Sequence, residues 1–93
     1  MANYKTNEES LLTYLEELKS QTQNLITSES HTMWYWKSAN YIKDVKAGNI
    51  IHPTNGQVDF FITNCENRLK PLRFRLMWLE SQINEITNLK SVA

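Results

Sequence analysis

The sequence holds one cysteine, two glycines and two prolines among 93 residues, and no apolar run long enough for a membrane helix. Each scarcity removes a class of protein. A lone Cys65 cannot close an internal disulfide, which suits a reducing compartment. Gly48 and Gly56 stand outside any P-loop or dinucleotide-binding pattern, so the common nucleotide-dependent enzyme families are excluded. The opening stretch MANYKTNEES is polar where a signal peptide would be apolar, and the chain is therefore expected to be soluble and cytoplasmic, with no membrane contact.

Ligand and nucleophile patterns are equally sparse. His31, His52 and Cys65 are the only imidazole or thiol ligands, and none forms a C-x-x-C or H-x-x-x-H pair, so no metal or other cofactor is expected. Cys65 falls on an apolar stripe, where a thiol behaves as a small hydrophobe. Glu8, Glu9, Glu16 and Glu17 form adjacent pairs that would diverge around a helix, which reads as a solvated face. No enzyme is expected.

Net charge is also missing: ten Lys and Arg balance ten Asp and Glu. That balance argues against a protein that coats DNA or an anionic membrane. Its distribution is uneven, however. Residues 1–30 carry five Glu against Lys5 and Lys19, whereas residues 31–75 carry seven basic side chains against Asp44, Asp59 and Glu66. Such asymmetry can dock one helix on another, within the chain or between copies.

What is present is helical periodicity. Leu11, Leu15, Leu18, Thr22 and Leu25 trace one stripe of an amphipathic helix, and TNEE at 6–9 has the form of a capping box. The Ser/Thr cluster TSESHT at 27–32 predicts a turn, because short hydroxyl side chains compete for backbone hydrogen bonds. A continuous bent helix from about 8 to 46 is the alternative. A second helix follows, with Trp34, Ser38, Tyr41, Ile42 and Val45 on one face, and Gly48 is placed to cap its end. After the turn-rich GNIIHPTNG, a second capping box, Thr54 to Gln57, opens a long helix.

That last helix is marked by a heptad: Val58, Ile62, Cys65, Leu69, Leu72, Leu76, Leu79, Ile83 and Ile86 recur in alternating steps of four and three. The pattern passes through Pro71, which should kink the helix. The expected fold is all-α: a single domain over 1–93, a small antiparallel bundle or hairpin with helices near 7–27, 30–47 and 56–90.

Around Pro71 the stretch NRLKPLRFRLMWLE gathers four basic residues and two aromatics. With the heptad facing inward, Arg68 and Arg75 lie along one edge, Lys70 and Arg73 along the other. Phe74 and Trp78 project away from the core stripe, with Phe60 and Met77 nearby. Aromatics, Met and Arg are enriched at protein interfaces. The candidate binding residues are Arg68, Lys70, Arg73, Phe74, Arg75 and Trp78, joined by Trp36 on the second helix. They predict a protein partner, another copy of the chain included. The alternative is a nucleotide or nucleic acid, held by Arg or Lys on phosphate and by stacked rings on bases. In length, helix content and lack of catalytic motifs the chain resembles the small accessory proteins by which phages and other mobile elements block a host factor. That resemblance is one of size and class, and implies an inhibitor that acts by binding.

Overall fold

The computed structural model describes residues 7–92, and among these there is no strand. Three helices follow one another: α1 (Asn7–Lys37), α2 (Tyr41–Lys46) and α3 (Asn55–Val92). The fold is all-α, as expected. Its two long helices form an antiparallel hairpin, drawn out to 60 × 27 × 15 Å. The first capping box begins at Thr6 and lies outside the described residues.

Helix α1 does not stop at the Ser/Thr cluster; it runs unbroken through residues 27–32. The predicted turn is corrected by a local hydrogen bond. Thr32 donates its hydroxyl to the carbonyl of Ser28 at 3.1 Å, as Thr22 does to Leu18 and Thr13 to Glu9. A hydroxyl satisfied one turn back no longer competes with the helix. The break comes later, at residues 38–40, where Ala39 takes a left-handed conformation with φ 61°. That break separates Trp34 from Tyr41, so the single face expected to hold both is split, and Trp34 is left exposed.

The remaining punctuation follows the sequence. Gly48 adopts φ 78° just beyond α2, and the amides of Ala47, Gly48 and Asn49 turn back to the carbonyls of Lys43, Val45 and Asp44. At the start of α3 the capping box is complete: the Gln57 amide donates to Thr54 Oγ1 at 3.1 Å, and the Thr54 amide donates to Gln57 Oε1 at 2.9 Å. Helix α3 then continues through Pro71 without ending. Pro71 is exposed, and water can reach the carbonyl that its ring deprives of a donor.

The seam of the hairpin explains why two helices of 31 and 38 residues stay together. All nine heptad positions of α3 from Val58 to Ile86 are buried or half-buried. On α1 the matching seam is Leu12, Leu15, Lys19, Thr22, Ile26, Glu29, Met33 and Trp36, in alternating steps of three and four. This differs from the expected stripe: Leu15 and Thr22 are buried, but Leu11 and Leu25 stand at the edge and are exposed. The sequence rule favoured the most apolar face, whereas the seam accepts Lys19, Thr22 and Glu29. The register is fixed at two points. Glu29 pairs with Arg68, and seven residues further along α1 the Trp36 ring meets Phe61, seven residues back along α3.

Two substitutions test the helix ends. Thr54→Ala should lower stability by about 1 kcal/mol, because it removes one half of a reciprocal cap. Ala39→Gly should raise it by about 1 kcal/mol, because glycine enters the left-handed region without the steric cost that alanine bears. Urea unfolding followed by circular dichroism reads both, with opposite signs.

Candidate interaction surface

The hairpin has two flanks and two outer faces. Lys37 and Glu66 form an ion pair at 3.5 Å on one flank, which Arg73 joins one heptad further along α3. On the other flank Thr32, Phe61, Asn64 and Arg68 surround a small recess beside Cys65. The outer face of α3 looks away from α1. There Phe74, Met77 and Trp78 are 73%, 66% and 55% exposed. Spaced by three and four residues, they are neighbours on one patch of helix surface. Pro71 stands three residues before Phe74 and two turns before Trp78, and Lys70, Arg73 and Arg75 rim the patch. No acidic residue occurs between Glu66 and Glu80.

Six of the seven sequence-predicted residues thus lie on a single stretch of α3, but not on a single surface. Lys70, Arg73, Phe74 and Trp78 surround the outer patch; Arg75 sits on the flank beside Trp78. Arg68 reaches across the flank to α1, where its Nε donates to Glu29 at 2.8 Å while the side chain stays half exposed. It stabilises the register and is not free to meet a partner with its full charge. Trp36 is removed altogether. Its ring packs on Phe61 at 4.6 Å between centroids and stacks on Tyr35 at 5.0 Å. Phe61 is thirteen residues from Phe74, about 20 Å along the helix, so Trp36 cannot share a binding site with the outer patch on the same hairpin.

Trp36 instead belongs to an aromatic cluster that ties the closed end of the hairpin. Tyr41 from α2 packs at 5.3 Å from Trp36, His52 meets Tyr41 edge-on, and the Tyr35 hydroxyl donates to the Asp44 carboxylate. That carboxylate raises the Tyr35 pKa above its ordinary value. An open recess of about 370 Å³ lies beside this cluster, lined by Trp36, Ile50, Ile51, His52, Pro53, Gln57 and Phe61. It brings no pair of titratable groups together. The His52 ring bonds through Nδ1 to the Pro53 carbonyl at 2.7 Å, which occupies one of its two nitrogens with the backbone.

The interior offers one polar group of interest. Glu29 sits on the seam, with one carboxylate oxygen on Arg68 and the other buried without a hydrogen-bond partner. Cys65 beside it is 1% exposed. Burial, and then the adjacent Glu29 carboxylate, push the thiol above its ordinary pKa. A raised pKa and a closed environment make Cys65 structural, not nucleophilic. Among the described residues no three His, Cys, Asp or Glu side chains gather to hold a metal ion, and no helix is long and apolar enough to cross a membrane.

Comparison of the chain with family models, with curated proteins and with solved structures yields no match. The surface therefore has to be understood from its own chemistry. Sequence reasoning passed over Glu29, whose seam position becomes visible only once the true α1 stripe is known. It also weighted Met77 too lightly, although the spacing to Phe74 placed the two side by side.

Cys65 supplies a test of the seam. A neutral aromatic disulfide reagent at mildly alkaline pH should label the native chain about a hundredfold more slowly than the urea-unfolded chain. Equal rates would mean that the seam opens freely around position 65.

Proposed function

We propose that the chain is a non-enzymatic binding protein that engages a protein partner through the outer face of α3. One observation carries this reading: Phe74, Met77 and Trp78 form a contiguous, exposed apolar patch. The patch has no role in holding α1 to α3, since all three side chains lie outside the seam. Exposed large apolar groups cost solubility, and a patch of aromatic and Met side chains with a basic rim has the composition of an interface centre. The Lys70, Arg73 and Arg75 rim favours a partner whose surface is acidic around an apolar depression.

This binding reading includes the inhibitor form. A partner covered by the patch loses whatever that covered surface did, with no chemistry needed from this chain. A nucleic-acid partner would use the same side chains differently, with the rings stacking on bases and the cations on phosphates. The two readings part on salt dependence, because phosphate contacts release counterions and protein docking through an apolar centre depends on them less.

Phe74→Ala/Met77→Ala tests the proposal, since both positions are exposed and the double variant should keep the helical spectrum of the parent chain. With extract of the source cells, the parent chain should retain a protein that the variant loses, and retention should survive moderate salt. Retention of the same proteins by both forms would overturn the reading. A labelled oligonucleotide that binds the parent chain, and binds less as salt rises or when Arg73 becomes Ala, would replace the protein partner with nucleic acid.

A further inference from the structure

We infer that a second copy of this chain packs against the flank marked by Thr32, Phe61 and Arg68, closing the hairpin into a four-helix bundle. The inference goes beyond the binding role of the outer patch and does not depend on it. It rests on the side chains that the seam leaves uncovered.

Steps of seven back from Thr32 reach Leu25, Leu18 and Leu11, all on the flank where Thr32 faces the recess beside Cys65. Tyr14 stands between Leu11 and Leu18 at the same helical edge. Leu11, Leu25 and Tyr14 are 47%, 49% and 58% exposed. On α3, a step of seven from Asn64, which lines the same recess, reaches Pro71. Leu89 lies on this flank too, seven residues at a time from Phe61, and is 69% exposed. The opposite flank is more polar, with exposed Trp34 as its one large ring on α1. Along α1 it carries Glu9, Glu16, Gln23, Ser30 and Lys37, in steps of seven from the residue that pairs with Glu66.

A helix that packs against one partner needs an apolar seam and nothing more; a helix in a bundle core needs a third apolar position in each heptad. Helix α1 has that third position at Leu11, Leu18 and Leu25. A solitary hairpin cannot use it.

Area identifies the occupant. The chain exposes 7028 Å², about 1,400 Å² more than a compact monomer of its mass leaves open. Burying an excess of that order from each of two copies gives an interface in the range of obligate homodimers. Setting α1 of one copy beside α3 of the other keeps every neighbouring pair of helices antiparallel, as in up-and-down bundles. Phe74 and Met77 stay outside, so the dimer would display two outer patches.

Sedimentation from about 1 to about 100 µM tests the inference, with thermal unfolding over the same range, since a dimer that unfolds to monomers melts higher at higher concentration. The parent chain is expected at twice 11.0 kDa. Leu18→Glu/Leu25→Glu should raise the dissociation constant at least about a hundredfold, because it places charge in a closing apolar face. Gln23→Glu, the same change of charge on the polar flank, should leave the dimer intact. Should the double variant lose its helical spectrum, Leu25→Glu alone, at a half-exposed site the hairpin tolerates, should still shift the dissociation constant by about tenfold or more. A parent chain that sediments as a monomer, or as any assembly other than two copies, overturns the inference. So does a dimer that Gln23→Glu disrupts and Leu25→Glu does not. Phe74→Ala/Met77→Ala should leave the mass unchanged, which separates this inference from the role of the outer patch.

Discussion

Everything in this molecule depends on a single seam, the line along which α1 and α3 interleave. It is long but thin. Leu15, Val58, Cys65, Leu69, Leu79 and Thr22 are the side chains buried along it, and each fully buried Leu contributes roughly 2 to 3 kcal/mol. A seam of this kind fixes direction and register more firmly than it supplies stability. Glu29 on Arg68 and Trp36 on Phe61 hold the register, while the rings at the closed end keep α2 and the loop over the turn. The position of every exposed residue follows from that register. The outer patch of α3 is outside because the heptad is inside, and Leu11, Leu18 and Leu25 are at the edge because Leu12, Leu15 and Lys19 occupy the seam.

The polar members of the seam limit what the hairpin can do alone. Thr22 settles its hydroxyl on the Leu18 carbonyl, and Glu29 keeps one oxygen buried without a donor. An unpaired buried polar atom costs free energy that apolar packing has to offset. Polar positions in a two-helix seam also restrict pairing, since a register that leaves Glu29 without an arginine buries an unpaired charge. Stability and specificity thus pull in different directions, and added contact area on the apolar flank is one way to satisfy both.

Much of this arrangement was legible from the residues. The heptad of α3 is strong enough to be followed through Pro71, because nine positions agree and a lone proline removes only one hydrogen bond. Gly48 and the Thr54–Gln57 cap announced themselves by mechanism. The failures have physical causes as well. Hydroxyl side chains at 27–32 suggested a break, yet bonding one turn back lets Thr32 remain helical. The stripe through Leu11, Leu18 and Leu25 was the most apolar line on α1, and apolarity alone cannot tell a seam from an edge. Trp36 was grouped with Phe74 on chemical type, and only the antiparallel register puts it at the far end of the hairpin. The outer patch was legible as aromatic and basic side chains set away from the heptad of α3, and Phe74, Met77 and Trp78 are exposed there.

The register is the claim on which the two surfaces stand. Nuclear Overhauser spectroscopy on a mixture of isotope-labelled and unlabelled chains tests it most directly, because it separates contacts within one chain from contacts between copies. Cross-peaks between the Trp36 indole and the Phe61 ring of the same chain are predicted, since their centroids stand 4.6 Å apart. Absence of that contact, or its appearance only between chains, would contradict the hairpin and the placement of both surfaces with it.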